Sequence, residues 1–218
     1  MTRDVYEKQL TDLKGSWLTL GAMVSSALDR AVRALIERDL EGAQEVIRMD
    51  EEINKYQHAI EETCLHLIAS QQPVARDLRL IFAISSTAWE LERMADHATG
   101  IAKLAQRLAA EPMLKPLIDI PRMAQISRQM LQAQLDAFAQ GDPDAARRAA
   151  ERDAEVDTLE DQVFRELLVL MMTDPRTITR ATYLMWVAHN LERFADRTTN
   201  IGERIIFLTS NEVVELNE

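Results

Sequence analysis

Carboxylates recur in this chain at a spacing that suits cation binding. Glu92 and Asp96 stand four residues apart, Glu192 and Asp196 repeat the pair, Asp153 and Asp157 form a third, and Asp50 with Asn54 is its partial counterpart. Residues four apart share one helix face, where like charges cost a few tenths of a kcal/mol. A bound cation would offset that repulsion. An all-oxygen donor set without a Cys/His cluster suits a hard ion such as iron(III), manganese, magnesium or calcium, and suits zinc less. The plainer alternative is a set of solvated acidic faces on a helical scaffold.

Other chemistry is poorly provided for. Carboxylate-bridged oxidases of the ferritin type use Glu-x-x-His, and none of His58, His66, His97 and His189 has Glu three residues before it. Six glycines leave little material for a phosphate-cradling loop, and there is no nucleophile elbow or kinase-like set. His189 shares the acidic face with Asp196 and reads either as an outer ligand or as a solvent-facing histidine. His97 projects about 100° away from Asp96 and is left out of the site. Arg93 and Arg193 read as exposed ion pairs or as counter-charges to a neighbouring helix's carboxylates. Cys64, at helical spacing from Ile60 and Leu67, reads as a core residue, and a single cysteine forms no internal disulfide.

The elements that carry these residues are helices. Of 218 residues only 12 are Gly or Pro and 5% are aromatic, while 28% are charged, which starves β-turns and favours an all-α fold. Breakers divide the chain into six periodic stretches, each of about 25 to 35 residues and so about 37 to 52 Å long. The first pattern ends around Arg38–Gly42; Gln71-Gln72-Pro73 ends the second and puts Pro73 at the first position of the third helix. Gly141-Asp142-Pro143 and Asp174-Pro175 supply further caps and helix starts. Three of the six prolines fall between Pro112 and Pro121, the best candidate for a boundary. The expected organisation is a first three-helix bundle over 1–111, a linker over 112–121 and a second three-helix bundle over 122–218. In the third helix Leu80, Ile84, Leu91, Met94, Ala98, Ile101, Ala105 and Leu108 form a bundle-facing stripe. Glu92, Asp96 and Thr99 lie about 110 to 170° from that stripe and are expected to point outward, as are Glu192, Asp196, Thr199 and Glu203.

The halves repeat. Residues 91–101 match 191–201 at 7 of 11 positions, Asp50–Asn54 mirrors Asp153–Asp157 at an offset of 103, and Pro73 mirrors Pro175 at 102. A net charge of −11 opposes contact with nucleic acid and anionic lipid. The uncharged run from Ser16 to Leu28 is 13 residues, too short to span a bilayer. With no targeting segment in view, a cytoplasmic protein is expected.

Several motifs together carry a resemblance: residues 71–79 (Gln-Gln-Pro-Val-Ala-Arg-Asp-Leu-Arg), the paired Leu-Glu-Arg-x-x-Asp segments at 91–96 and 191–196, residues 174–178, and the duplication, up to the tail at 213–217. In this order the sequence resembles the PhoU family of phosphate transport regulators, over essentially the whole chain. The resemblance implies two tandem three-helix bundles related by a pseudo-two-fold, often as homodimers, with acidic motifs that hold multinuclear iron or other metals in some members. It implies a cytoplasmic negative regulator, without enzymatic activity, that couples the ATPase of the phosphate-specific ABC transporter to a sensor histidine kinase. It places metal candidates at Asp50, Glu92, Asp96, Asp153, Asp157, Glu192 and Asp196, with Asn54 departing from the acidic pattern. The alternative from another class is a carboxylate-bridged metalloenzyme acting on phosphate esters or oxygen.

Overall fold

Where the sequence carries turn chemistry, the chain turns. A computed structural model describes residues 3–210 and 214–216, so Val213 and Asn217 of the tail lie outside the described residues. The elements are α1 (Arg3–Glu37), α2 (Leu40–Gln71), α3 (Ala75–Leu108), α4 (Asp119–Gln140), α5 (Pro143–Ala150), α6 (Asp153–Thr173), a single 3-10 turn (Pro175–Thr177) and α7 (Ile178–Ser210), with no strand among the described residues. The Asp39 carboxylate accepts from the Glu41 and Gly42 amides and starts α2. Gly141 ends α4 at φ 67°, a left-handed position that favours glycine, and Asp142 then caps α5 by accepting from Asp144 and Ala145.

Two local expectations need correction. The fifth stretch is not one helix: α5 and α6 are separated by a turn at Glu151–Arg152, and α4 and α6, at 22 and 21 residues, fall below the expected lengths. The turn leaves Asp153 as the first residue of α6, at the positive end of a helix, whereas α2 runs unbroken past Asp50. Pro73 is not the first residue of α3; the helix starts two residues later, after Val74, because Ala75 takes a left-handed φ of 48°.

The stripe on α3 is buried as expected, from Leu80 to Leu108. Helix α3 packs against α1 and α2, and α7 packs against α4, α5 and α6, so each half is a bundle around its last helix. The two bundles meet where α3 lies along α7 and α1 touches α4. At the second contact the rings of Trp17 and Phe138 are 4.2 Å apart, and Leu135 fills the space left by Gly21.

The α3–α7 contact shows the internal symmetry at atomic level. Arg197 donates to Glu90 at 2.8 Å, and His97 Nδ1 lies 3.1 Å from Asn190 Oδ1. Shifted by 100 residues, the first pair becomes the second. Asn200 approaches Glu90 at 3.2 Å, and correspondingly Asn190 lies over Gly100. Partners run in opposite directions along the two helices, so α3 and α7 are antiparallel about an axis near Met94 and Phe194. The consequence for function is that each acidic segment faces away from this seam, toward the middle helix of its own bundle.

Candidate functional site

Two grooves result. In the first, Glu92 and Asp96 on α3 face Asp50 on α2, and Thr99 donates to Asp50 Oδ1 at 3.2 Å. In the second, Glu192 and Asp196 on α7 face Asp153 and Asp157 on α6. All seven carboxylates marked by the sequence therefore fall into two clusters, three in one groove and four in the other.

Except for the exposed Asp157, these acids are partly recessed, not outward. The side chains of Glu92, Glu192 and Asp196 are only 14%, 18% and 17% exposed, while that of Asp96 is 40% exposed. Thr99 and Thr199 are 3% and 0% exposed. The reason is that α3 and α7 are the central helices of their bundles: with neighbours on three sides, their buried arc is far wider than the apolar stripe, and it takes in the threonines and the inner half of the acidic face.

Recession has electrostatic consequences. Burial raises the Asp153 carboxyl to about 7, with the charges of Asp157, Asp196 and Glu192 pushing in the same direction. Burial followed by the Asp196 charge also raises Asp157, and burial followed by the Glu160 charge raises Glu192. In the first groove burial and then the Asp96 charge raise both Asp50 and Glu92. Arg93 and Arg193 answer part of this charge on their own helices, at 3.0 Å from Asp96 and Asp196 respectively, and the Arg193 charge also reaches across to α6, where it lowers the Asp153 carboxyl against its burial. Among the described residues, buried oxygens on Glu92, Asp153 and Glu192 have no hydrogen-bond donor. Arg93 Nε and His189 Nδ1 stand 3.5 Å from the Glu92 and Glu192 oxygens without forming hydrogen bonds, so these buried carboxylates, crowded by like charge, fit a cation as a further partner.

The second groove holds a residue that sequence reasoning missed. His189 Nδ1 lies 3.2 Å from Glu160 Oε1 and 3.5 Å from Glu192 Oε2. Glu160, His189 and Glu192 each offer one ligand atom within 4.8 Å of the others. The signal was present: Glu160 is three residues after Asp157 and seven after Asp153, on the same helical face. His189 thus belongs with the acids, and its imidazole extends the possible ions to transition metals that accept mixed nitrogen and oxygen donors. At Glu160's equivalent in the first groove stands Gln57, which, like Asn54, is a neutral amide with a buried oxygen that no described group donates to. His97 stays outside the site, held in the α3–α7 seam. Cys64 is buried, and burial pushes its thiol up to about 12, which fits a core residue and not a nucleophile.

A duplicated all-α bundle with an acidic groove in each half defines the class of protein. The PhoU domain model matches residues 18–105 and again 120–205. The phosphate-specific transport system accessory protein PhoU homolog of Aquifex aeolicus is 39% identical over 208 residues, covering 95% of this chain and 94% of the relative. The crystal structure of PhoU from Pseudomonas aeruginosa superimposes with a TM-score of 0.91 at 36% identity, covering 95% of this chain and all of that one. The phosphate transport system regulatory protein PhoU from Streptococcus pneumoniae gives 0.88 at 34%, over 96% and 99%. This chain belongs to the PhoU family.

Proposed function

We propose that the protein is a cytoplasmic negative regulator of phosphate uptake and phosphate-starvation signalling, a metal-binding adaptor between the ATPase of a phosphate-specific ABC transporter and a membrane sensor histidine kinase. Family membership over both halves carries the regulatory part of this reading, since the relatives are named accessory and regulatory proteins of phosphate transport. The acidic grooves carry the metal part. Glu92 and Asp96 with Asp50, and Glu192 and Asp196 with Asp153, Asp157, Glu160 and His189, would hold iron, manganese or another hard cation, joining α2 to α3 and α6 to α7. No helix among the described residues is long and apolar enough to cross a membrane. The metalloenzyme alternative is not favoured, because the relatives' names describe an accessory role and no observation here points to a substrate.

The test is genetic. Removing the chain from its host should leave phosphate uptake high and starvation genes expressed in phosphate-rich medium, and returning the wild-type gene should restore both. Uptake and expression unchanged by the deletion would overturn the regulatory reading.

A further inference from the structure

Beyond its acids the second groove continues as an apolar trough. On α6 the face that carries Asp153, Asp157 and Glu160 runs on at helical spacing to Phe164 and Leu168; on α7 the face of Glu192 and His189 runs back to Met185 and Ile178. Phe164, Leu168 and Ile178 are 42% to 52% exposed, and Trp186 on the rim is equally open, its ring edge-on to His189 at 5.9 Å. A cavity of about 260 Å³ lies where the acidic and apolar stretches join, lined by Glu160, Asp161, Phe164, Met185 and Ala188. The described ends of the chain lie elsewhere. Helix α1 starts beside Asp77, at the opposite end of the antiparallel α3–α7 pair, and the tail lies beside Glu203, about 25 Å along α7 from Trp186.

The core does not require this exposure. None of Phe164, Leu168, Ile178 and Trp186 belongs to it, and of the chain's three tryptophans two, Trp89 and Trp186, are exposed. The first half repeats the arrangement: Leu65 on α2, the counterpart of Leu168, and Leu78, Phe82 and Trp89 on α3 are exposed beyond the first groove's acids. Its aromatic residues are not copies of those in the second half. The counterpart of Phe82 is Thr182, that of Phe164 is Glu61, and that of Trp89 is His189. Each half thus keeps a phenylalanine and a tryptophan in the open beside its acids, at positions that duplication alone does not supply.

We propose that the trough between α6 and α7 is the docking site for an amphipathic helix of a partner protein, its apolar face covering Phe164, Leu168, Ile178 and Trp186 and its lysine or arginine side chains meeting Asp157, Glu160 and Asp161. This rests on the adaptor reading and names a surface through which it works. Two antiparallel helices leave a groove that takes the ridge of a third. A helix satisfies its own backbone when covered, whereas an extended segment laid here would find no free backbone partners along α6 and α7. From Ile178 to Glu192 the trough is about 21 Å long, four turns of helix. The acids set the partner's charge. A second copy would bring another chain of net charge −11 with the same acidic trough, and anionic lipid is repelled in the same way, so the complement is a segment that is apolar along one face and basic at one end.

The probe is a displayed library of helices of about 18 residues, randomised along one face and selected on the immobilised full chain in chelator, so that the acids carry no metal. Enriched peptides, remade with fluorescein and measured by anisotropy, should show an apolar stripe at i, i+4 and i+7 with basic residues at one end. They should bind the wild type about tenfold or more tighter than Phe164→Ser with Trp186→Ser, two substitutions outside the core whose helicity is checked by circular dichroism. Asp157→Asn with Asp161→Asn should independently weaken the same peptides severalfold, by a margin that shrinks as salt rises. No enrichment, equal binding to the wild type and the aromatic variant, or enriched peptides without basic residues would overturn the proposal. So would a wild-type dimer in sedimentation equilibrium that the aromatic variant loses, which would give the trough to a second copy, or binding to phosphatidylglycerol vesicles that the same variant loses, which would give it to a membrane. These outcomes are separate from the deletion phenotype, which tests the adaptor role itself.

Discussion

Asp153 is a half-buried charge crowded by three other carboxylates, and Asp153→Asn measures that crowding. Its carboxyl is raised from an ordinary value of 3.8 to about 7 by burial and by three neighbouring carboxylates. That rise corresponds at most to about 4 kcal/mol. Asp153 is only half-buried, and solvent screening reduces this to roughly 1–2 kcal/mol. Asparagine also gives up the favourable interaction of a carboxylate with the start of α6, about 0.3–1 kcal/mol. The net expectation for metal-free protein at pH 8 is about 1 kcal/mol of stabilisation, or roughly 2–4 °C in Tm for a chain of this size. The pH dependence has a definite sign. With the folded value above the unfolded one, the native state holds the proton more tightly, so the wild type is favoured most below about 4 and loses that stability as pH rises through 7. The advantage of the asparagine variant should therefore be absent or reversed near pH 4.5 and full at pH 8. Thermal unfolding in chelator, followed by circular dichroism at both pH values, decides it. A variant no more stable than wild type at pH 8, or equally displaced at both pH values, would refute the electrostatic account of the groove.

The other perturbations separate metal binding from packing. Glu192→Gln with Asp196→Asn should lower the metal content of the purified protein, read by elemental analysis, while helicity stays intact, because neither side chain belongs to the apolar core. Unchanged metal stoichiometry would remove these residues from the site. Gly21→Val tests the seam between the bundles: a Cβ at Gly21 runs into the Leu135 side chain, so overpacking of about 1–3 kcal/mol should outweigh the modest helix-propensity gain over glycine. Its urea midpoint should fall at unchanged slope, and a midpoint equal to wild type would show that α1 and α4 do not pack as described.

Much of this architecture is legible in the residues. The breaks at Gly141-Asp142-Pro143 and Asp174-Pro175 are local chemistry, and local chemistry survives folding. The α3 stripe is legible because it obeys one period. What a single helix's periodicity cannot report is how many neighbours the helix will have. Thr99 and Thr199 lie off the stripe, yet they are buried because α3 and α7 are central helices, a property of the assembled bundle. The same blindness hid the depth of Glu92 and Glu192, and it hid Glu160, whose importance comes from His189 on another helix. Pro73 was misplaced for a different reason: the left-handed Ala75 is a backbone choice that no side-chain pattern announces.

The repeat also explains why the two grooves differ. Gene-level duplication gives each bundle the same frame, an acidic face on its last helix opposite its middle helix, with one arginine set beside it. Divergence then acts on the middle helix. In the first groove Asn54 and Gln57 stand where the second has Asp157 and Glu160, and Lys103 lies close enough to pull the Asp50 carboxyl down against its burial. In the second groove five carboxylates and His189 converge with Arg193 as the near counter-charge, and Asp153 sits at a helix start created by the turn at Glu151–Arg152. Charge repulsion in the ion-free state and ligand count in the ion-bound state both increase in the same direction, from the first groove to the second. On the proposed metal-binding reading, an ion would therefore gain most in the second groove, where it would relieve more repulsion and meet more donors. On that reading the first groove would be the weaker member of the pair, because its neutral amides would contribute oxygens without charge.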